Sequence, residues 1–244
     1  MIRTLFQLIR PILPLFFLFH DRVSDWMIRN VRRIKIILLI GAHAALAGFL
    51  FPEMRKEFGE MAANLLILIL FLSPLSKIFR MRLLLLLMGL RRELGIFMAY
   101  LATVHGVGYL LDPAWFDLVV RPYWPNALFS LDPMILFGIV GYFLTLPLLL
   151  TSNTLANRVL GGKGWKRLHR VVYGVFLFVV FHRFLMRGGD SSSFVQAGLL
   201  LGSYGFLKLL AWRNILPLLR ESINLVSSYY EEWKALSRLT TQQL

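Results

Sequence analysis

The feature that most constrains this chain is a series of apolar runs, each close to the length that crosses a lipid bilayer. A membrane-crossing helix needs about 20 predominantly apolar residues, and the sequence contains six such runs. Backbone polar groups inside a bilayer must be paired, and none of the runs alternates as β-barrel strands do, so each is predicted to be a helix. The runs are residues 34–51, 62–79, 94–111, 133–150, 165–186 and 194–212.

The composition excludes a soluble globular protein. Hydrophobic residues make up 57% of the chain and charged residues 16%, whereas a soluble domain carries about 25% charged residues. The chain has no cysteine, which excludes disulfides, thiolate metal sites, iron–sulfur clusters and covalently attached c-type haem. The sequence therefore predicts an all-α integral membrane protein built as a six-transmembrane-helix bundle.

The N-terminal segment is apolar but unlike the six runs. Residues 4–19 contain Arg10, Pro11 and Pro14, which favours a helix lying in the membrane interface. A seventh crossing is the alternative. We therefore assign residues 1–33 to an N-terminal interfacial and cytoplasmic extension.

The predicted bundle, residues 34–212, is followed by a segment of mixed character. Residues 213–244 combine apolar side chains with charged ones, a pattern typical of an amphipathic helix that lies on a membrane or a partner. A solvated tail is the alternative.

Basic residues are distributed unevenly between the predicted loops. When alternate loops are assigned to opposite sides of the membrane, 22 of the 27 Lys and Arg residues fall on one side. Cytoplasmic loops carry the excess of Lys and Arg in membrane proteins, so both termini are predicted to be cytoplasmic. Topology thereby explains the net charge of +14, and no nucleic-acid partner is expected.

Four of the five histidines lie inside or at the ends of predicted spans: His43, His105, His169 and His182. Ionisable side chains within a span are costly and are candidates for function. A neutral imidazole is also a usual axial ligand of b-type haem, which takes one nitrogen from each side of the porphyrin and no covalent link. The alternative is a hydrogen bond to a neighbouring helix, which we favour for His20 and, less clearly, for His43.

The spacing of two histidines excludes one arrangement. His169 and His182 are 13 residues apart, so they differ in depth by about 20 Å and cannot bind the same iron. His105, near the middle of the third span, is the obvious opposing ligand, but its depth does not choose between them. Gly106 and Gly108 would let a flat macrocycle approach the backbone, or would simply permit close helix packing.

Several strings of residues resemble the ferric-reductase-like transmembrane domain family, and within it the haem-binding membrane subunits of bacterial methionine sulfoxide reductase systems. The resemblance covers about residues 34–212, and its most specific part is the fifth span with its two histidines. The strings are Arg91-Arg92-Glu93-Leu94-Gly95 running to Val104-His105, Arg121-Pro122-Tyr123, Leu150-Thr151-Ser152, and Trp165 through Tyr173 to Phe181-His182.

The resemblance implies a site and its ligands. In the family, the histidines at the positions of His105, His169 and His182 are linked to haem b, of which one or two are expected. By this analogy His105 pairs with His182 for an outward haem, and His169 serves an inward haem with His43 as its candidate partner. Where the family binds FMN, the basic pair matching Arg91 and Arg92 would suit its phosphate; the alternative is that this pair only anchors the helix end and sets topology.

The resemblance also implies a function: an electron-transfer subunit of an oxidoreductase system in the bacterial inner membrane. No flavin and nicotinamide domain follows the sixth span, so electrons are expected from quinol or from a separate cytoplasmic flavin reductase. The acceptor is expected to be a periplasmic partner docked near Trp115, Arg121 and Trp124, and the resemblance implies a molybdenum methionine sulfoxide reductase.

Two other classes of function stay open. The first is a non-catalytic membrane scaffold that keeps the ferric-reductase-like fold within a larger complex. The second is a transporter or proton channel that uses the same histidines, but proton relays usually include carboxylates within spans, and none of the six spans has one in its middle.

Overall fold

The computed structural model describes residues 13–79, 81–119, 121–123, 131–213 and 228–231. Three of the sequence predictions fall wholly or largely outside this part of the chain. They are the N-terminal half of the interfacial helix predicted over residues 4–19, the indole of Trp124 and most of the tail, residues 214–227 and 232–244.

In the described part of the chain nine α-helices have defined bounds, residues 228–231 are also helical, and there is no β-strand, which confirms the all-α class. Four 3-10 segments, Leu46–Leu50, Pro52–Met54, Arg121–Tyr123 and His169–Val171, join or extend them. The helices are α1 Leu13–Ala45, α2 Arg55–Phe79, α3 Arg82–Met88, α4 Arg91–Leu110, α5 Pro113–Val119, α6 Pro133–Leu150, α7 Thr154–Leu168, α8 Val172–Met186 and α9 Ser191–Arg213.

Five helical stretches in the described residues are long and apolar enough to cross a membrane, so the chain is a multi-pass membrane protein. They are Pro14–Leu50, Pro52–Phe79, Pro133–Leu150, Thr154–Met186 and Ser191–Trp212. Helix α4, the third predicted span, is not among them, although it is 20 residues long. Its apolar content is reduced by Arg91, Arg92 and Glu93 at its start and by His105 further along.

The first helix differs from the sequence prediction. We expected a separate interfacial helix followed by a span that begins at residue 34, whereas α1 runs without a break from Leu13 to Ala45. The reason is local, because residues 15–40 contain neither proline nor glycine and nothing there interrupts the backbone hydrogen bonds. The predicted boundary was the start of the apolar run at residue 34, and a change from polar to apolar residues does not by itself end a helix.

Residues 33–71 and 90–204 form one compact unit, which holds the buried core. Within this unit α6 packs extensively against α8, and α4 packs against α6. Helix α6 packs on α8 at Gly141, where an added Cβ would be in ordinary van der Waals contact with the Phe178 side chain, 3.5 Å away. The core around this contact includes Leu66, Leu101, Val175, Phe176 and Val180.

Residues 1–32, 72–89 and 205–244 form a second compact unit, of which only part is described. Here His20 donates through Nδ1 to Asp21 Oδ1 at 3.1 Å and accepts the Leu83 N–H at Nε2, at 3.3 Å. Asp21 also accepts a hydrogen bond from the Tyr230 hydroxyl. Both nitrogens of His20 are therefore engaged, as the hydrogen-bonding alternative for this histidine predicts.

The burial pattern of α2 gives a test of the fold. Leu66 is 1% exposed and Leu68 is 47% exposed on the same helix. Leu66→Ala should lower the free energy of unfolding by about 2–5 kcal/mol because it leaves a cavity in the core. Leu68→Ala should change it by less than about 0.5 kcal/mol. Equilibrium unfolding in mixed micelles measures both, and equal effects would contradict the placement of this helix.

Candidate functional site

A cavity of about 400 Å³ lies between α2, α4, α6 and α8 in the first compact unit. Its wall is mainly apolar, which is typical of a site for a large ligand with few polar groups. Two histidines contribute to the wall from different helices, His105 from α4 and His182 from α8. Of the four histidines singled out in the sequence, the structure brings these two together.

The two imidazole rings are separated by the distance expected for two ligands of one metal ion. Their centres are 6.2 Å apart and their planes are inclined by 71°. A metal–imidazole bond is about 2.0 Å and the nitrogen lies about 1.2 Å from the ring centre, so rings bound to opposite sides of one ion have centres about 6.3–6.4 Å apart. The observed separation matches this distance to within about 0.2 Å.

Backbone carbonyls define which nitrogen of each ring carries the proton. His105 Nδ1 lies 2.8 Å from the Arg55 carbonyl oxygen, and His182 Nδ1 lies 2.7 Å from the Met134 carbonyl oxygen. A carbonyl oxygen only accepts, so each Nδ1 donates its hydrogen. The lone pair of each neutral ring is then on Nε2, and no hydrogen bond to either Nε2 occurs among the described residues.

Two glycines make room for these rings. A Cβ at position 59 would lie 2.5 Å from Nδ1 of His105, and one at position 138 would lie 3.0 Å from Nδ1 of His182. Real Cβ contacts are essentially never as short as the first distance, so alanine at position 59 would displace the His105 ring. The second distance is tighter than most real contacts, so alanine at position 138 would require the His182 ring to shift by a few tenths of an ångström. We did not single out Gly59 or Gly138 in the sequence, because each is far along the chain from the histidine that it accommodates.

The end of the cavity near Asp112 carries an ion pair and two aromatic rings. Arg55 donates to Asp112 Oδ2 at 2.6 Å and lies 5.7 Å from the centre of the Tyr109 ring. The Tyr109 ring is 5.3 Å from that of His105 and 5.5 Å from that of Trp115. Asp112 Oδ1 accepts hydrogen bonds from the backbone amides of Ala114 and Trp115 at the start of α5.

Charged side chains also line this cavity, on α2 and α8. Lys56, Glu60 and Arg183 lie in the wall, and Arg183 donates to the amide oxygen of Asn64 at 3.1 Å. The sequence offered no signal for them, because Lys56 and Glu60 precede the second predicted span and Arg183 follows His182 on α8.

The other two histidines have different surroundings. Nε2 of His169 lies 3.2 Å from the Thr151 hydroxyl, and the Trp165 ring stacks on the imidazole at 3.9 Å. The Thr151 hydrogen is committed to the Pro147 carbonyl at 2.6 Å, so Nε2 of His169 is the donor. Nδ1 of His43 donates to the Leu39 carbonyl, and the Tyr100 hydroxyl lies 3.5 Å from Nε2. Neither ring lines the cavity between His105 and His182.

The predicted phosphate-binding pair lies at the start of α4. Arg91 and Arg92 are both exposed, and Arg92 lies 3.0 Å from Glu93 Oε1. Lys35 is 3.8 Å from the same oxygen. Glu93 itself is 1% exposed, so the basic groups beside it balance a buried carboxylate.

Comparison with known proteins places the chain in a family. Residues 58–180 match the model of the ferric reductase like transmembrane component. This region contains His105 and His169 and ends two residues before His182. The chain therefore belongs to the ferric reductase-like transmembrane family.

Several relatives are haem-binding subunits of protein-methionine-sulfoxide reductase, called MsrQ. The MsrQ of Azospira oryzae is 39% identical over 129 residues, which is 52% of each chain. The MsrQ of Cronobacter sakazakii is 31% identical over 183 residues, 70% of this chain and 82% of that one.

A relative with another name is the magnetosome protein MamZ of Magnetospirillum gryphiswaldense. It is 29% identical over 177 residues, 68% of this chain but 25% of that protein. The chain thus spans about half the length of the Azospira MsrQ and about a quarter of the length of MamZ. No solved structure matches the chain.

The Asp112 carboxylate gives a prediction for low pH. The hydrogen bond from Arg55 and those from the α5 amides hold the pKa of Asp112 below its usual value. The stability that the ionised Asp112 contributes to the fold is therefore fully present above the pKa of Asp in the unfolded chain, about 3.9. It is lost as the pH falls through the lower pKa of the folded state. Hydrogen exchange at the amides of Ala114 and Trp115, corrected for intrinsic rates, should rise only below about pH 3.9.

The matched variant for this test is Asp112→Asn, which keeps an oxygen that can cap α5 but does not titrate in this range. Exchange at the two amides should then show no step on acidification. A step that persists in the variant would show that another group controls this end of the cavity.

Proposed function

We propose that this protein is a membrane electron-transfer subunit that binds haem b between His105 and His182. One observation carries the proposal: two imidazoles face the same apolar cavity with a centre-to-centre distance of 6.2 Å. Their Nδ1 protons are fixed by backbone carbonyls, which leaves the Nε2 lone pairs available to iron. The family membership and the names of the MsrQ relatives support the same cofactor.

The residues present fit b-type haem in three respects. Two neutral imidazoles supply axial ligands, the cavity wall is largely apolar, and the chain has no cysteine for a covalent attachment. When bound, haem supplies one-electron redox chemistry. The protein residues hold the iron, keep water from it and set its potential through the groups that hydrogen-bond to the ligands.

Haem carries two propionates, and the cations in the cavity wall provide a place for them. Lys56 and Arg183 lie in this wall, and Arg183 is bonded to the neutral amide of Asn64. No ion pair within 4 Å joins either cation to a carboxylate in the described part of the chain. We infer that these two side chains would bind the propionates.

A second, inward haem on His169 stays a prediction. Nε2 of this ring donates to Thr151 and Trp165 covers one ring face. Ligation through Nε2 would require the bond to Thr151 to break. We therefore propose one haem with two histidine ligands from α4 and α8, and leave a second haem on His169 and His43 as the less supported arrangement.

The direction of electron transfer follows from the proposed topology. We propose that α4 also crosses the membrane, which makes six crossings with the five apolar stretches. We propose that both termini are cytoplasmic, because Lys and Arg concentrate on one side, and that the membrane is the bacterial inner membrane. Electrons would enter from quinol or from a cytoplasmic flavin reductase. If the donor is a flavin, we propose that FMN binds near Arg91 and Arg92. They would leave to a periplasmic partner, for which the names of the relatives favour a methionine sulfoxide reductase.

Removal of either histidine tests the haem proposal. His105→Ala and His182→Ala should each abolish the Soret band of the bis-histidine haem in purified protein, because each removes one of its two axial bonds. The double variant should lose no more haem than either single variant. His20→Ala, with a ring whose two nitrogens are engaged by Asp21 and Leu83, is the control and should keep this haem.

The outcome separates the two main classes of function. Full haem content in both single variants would contradict the ligand assignment. If wild-type protein from haem-replete cells shows no Soret band, the scaffold function is favoured instead.

The propionate assignment predicts how well the protein distinguishes haem from haem whose propionates are esterified. Apoprotein should bind haem about 10-fold more tightly than its dimethyl ester, because the esters remove charge-assisted hydrogen bonds. Lys56→Met combined with Arg183→Gln should reduce this ratio to near one. Arg121→Gln, which alters an exposed pair with Asp117, should leave the ratio unchanged. A full ratio in the double variant would place the propionates elsewhere.

A further inference from the structure

We propose that the ion pair between Arg55 and Asp112 is a positioning device for the His105 imidazole. The inference rests on the proposed function, since it concerns how one haem ligand is held. It goes beyond that function by assigning a role to two residues that are not part of the cavity wall. Both would act through the backbone carbonyl of Arg55.

The first link is the hydrogen bond from His105 Nδ1 to that carbonyl, at 2.8 Å. Arg55 is the first residue of α2, and the preceding residues form two short 3-10 segments, Leu46–Leu50 and Pro52–Met54. The Arg55 N–H donates to the Pro52 carbonyl, so local backbone bonds define this turn. The Arg55 side chain adds a contact that ties the turn, and the carbonyl within it, to the residue that follows α4.

The second link fixes that side chain. The guanidinium lies 2.6 Å from Asp112 Oδ2 and over the Tyr109 ring, and the side chain is 14% exposed. It runs close to the backbone of α4 at Gly108, where a Cβ would lie 3.3 Å from Cδ and Nε of Arg55. Glycine at position 108 thus lets the arginine lie across α4 towards its partner.

The third link fixes the carboxylate. Asp112 Oδ1 accepts the amides of Ala114 and Trp115 at 3.1 and 3.3 Å, so its other oxygen has a defined direction. The connection therefore runs from the start of α5 through Asp112 and Arg55 to Nδ1 of His105. A carbonyl that accepts from Nδ1 orients an axial imidazole and strengthens it as a donor to the metal.

This pair differs from an ordinary surface pair, and the chain provides the comparison. Arg121 and Asp117 also form an ion pair, at 2.8 Å, but their side chains are 70% and 48% exposed. Exposed pairs contribute little to structure. Asp117 belongs to α5, as do the amides that Asp112 caps, so Asp117→Asn is a matched control for charge and location.

The test measures haem affinity and the midpoint potential of the haem in purified full-length protein. Asp112→Asn keeps a capping oxygen for α5 but removes the charge that faces Arg55. Arg55→Gln leaves the backbone carbonyl chemically unchanged. The two variants remove charges of opposite sign, whose direct electrostatic effects on the potential are opposite, so a shift in the same direction in both must come through the position of the carbonyl. Both variants should lower haem affinity about 10-fold and raise the midpoint potential, because a less strongly donating imidazole stabilises ferric iron less. Asp117→Asn should change neither quantity.

A conservative variant separates positioning from folding. Arg55→Lys keeps a charged donor for Asp112 and should lie closer to wild type than Arg55→Gln in both measurements; the opposite order would overturn the proposal. So would wild-type affinity and potential in Asp112→Asn and Arg55→Gln. If the wild-type protein binds no haem at all, it is the proposed function that fails.

Discussion

The central constraint on this structure is the requirement that a polar ring nitrogen inside an apolar bundle must have a partner. Burying such a nitrogen without a hydrogen-bond partner or a metal costs up to several kcal/mol. The Nδ1 atoms of His105 and His182 satisfy this requirement with backbone carbonyls. Their Nε2 atoms have no hydrogen bond among the described residues, and both rings border one cavity. A metal ion between the two rings, as we propose, would give each Nε2 atom its partner.

Other features of the compact unit follow from keeping these two rings in place. Gly59 and Gly138 leave the space that the His105 and His182 rings occupy. Helices α6 and α8 share an extensive contact, which holds the helix that carries His182. His105 is supported differently, through Arg55 at a helix start, which is why we assign a positioning role to the pair with Asp112.

Much of the helical architecture was predictable, because long apolar runs in a chain with few charges have few alternatives. The span over residues 133–150 matches α6 at both ends. The start of α1 was not predictable from charge, since a continuous backbone helix can carry charged residues along one segment. Helix α4 is not among the five apolar stretches because His105, and the charged residues at the start of the helix, lower its hydropathy. This is the helix that carries His105 of the candidate site.

The site itself was only partly predictable. Spacing excluded a shared iron for His169 and His182, but the choice of His105 as the partner of His182 came from the family resemblance. The structure places these two rings together. The groups around them, such as Gly59 beside His105 and Asp112 beside Arg55, are 46 and 57 residues from their partners in the chain. Contacts at such separations depend on how the helices pack, and no local pattern in the sequence encodes them.

The most direct test of the account is electron paramagnetic resonance of the purified ferric protein. Two axial imidazoles with planes inclined by 71° should give a low-spin signal with strong g anisotropy, typical of bis-histidine haem with nearly perpendicular rings. Purified protein that carries only high-spin haem, or no haem, would contradict the claim that iron is bound between His105 and His182.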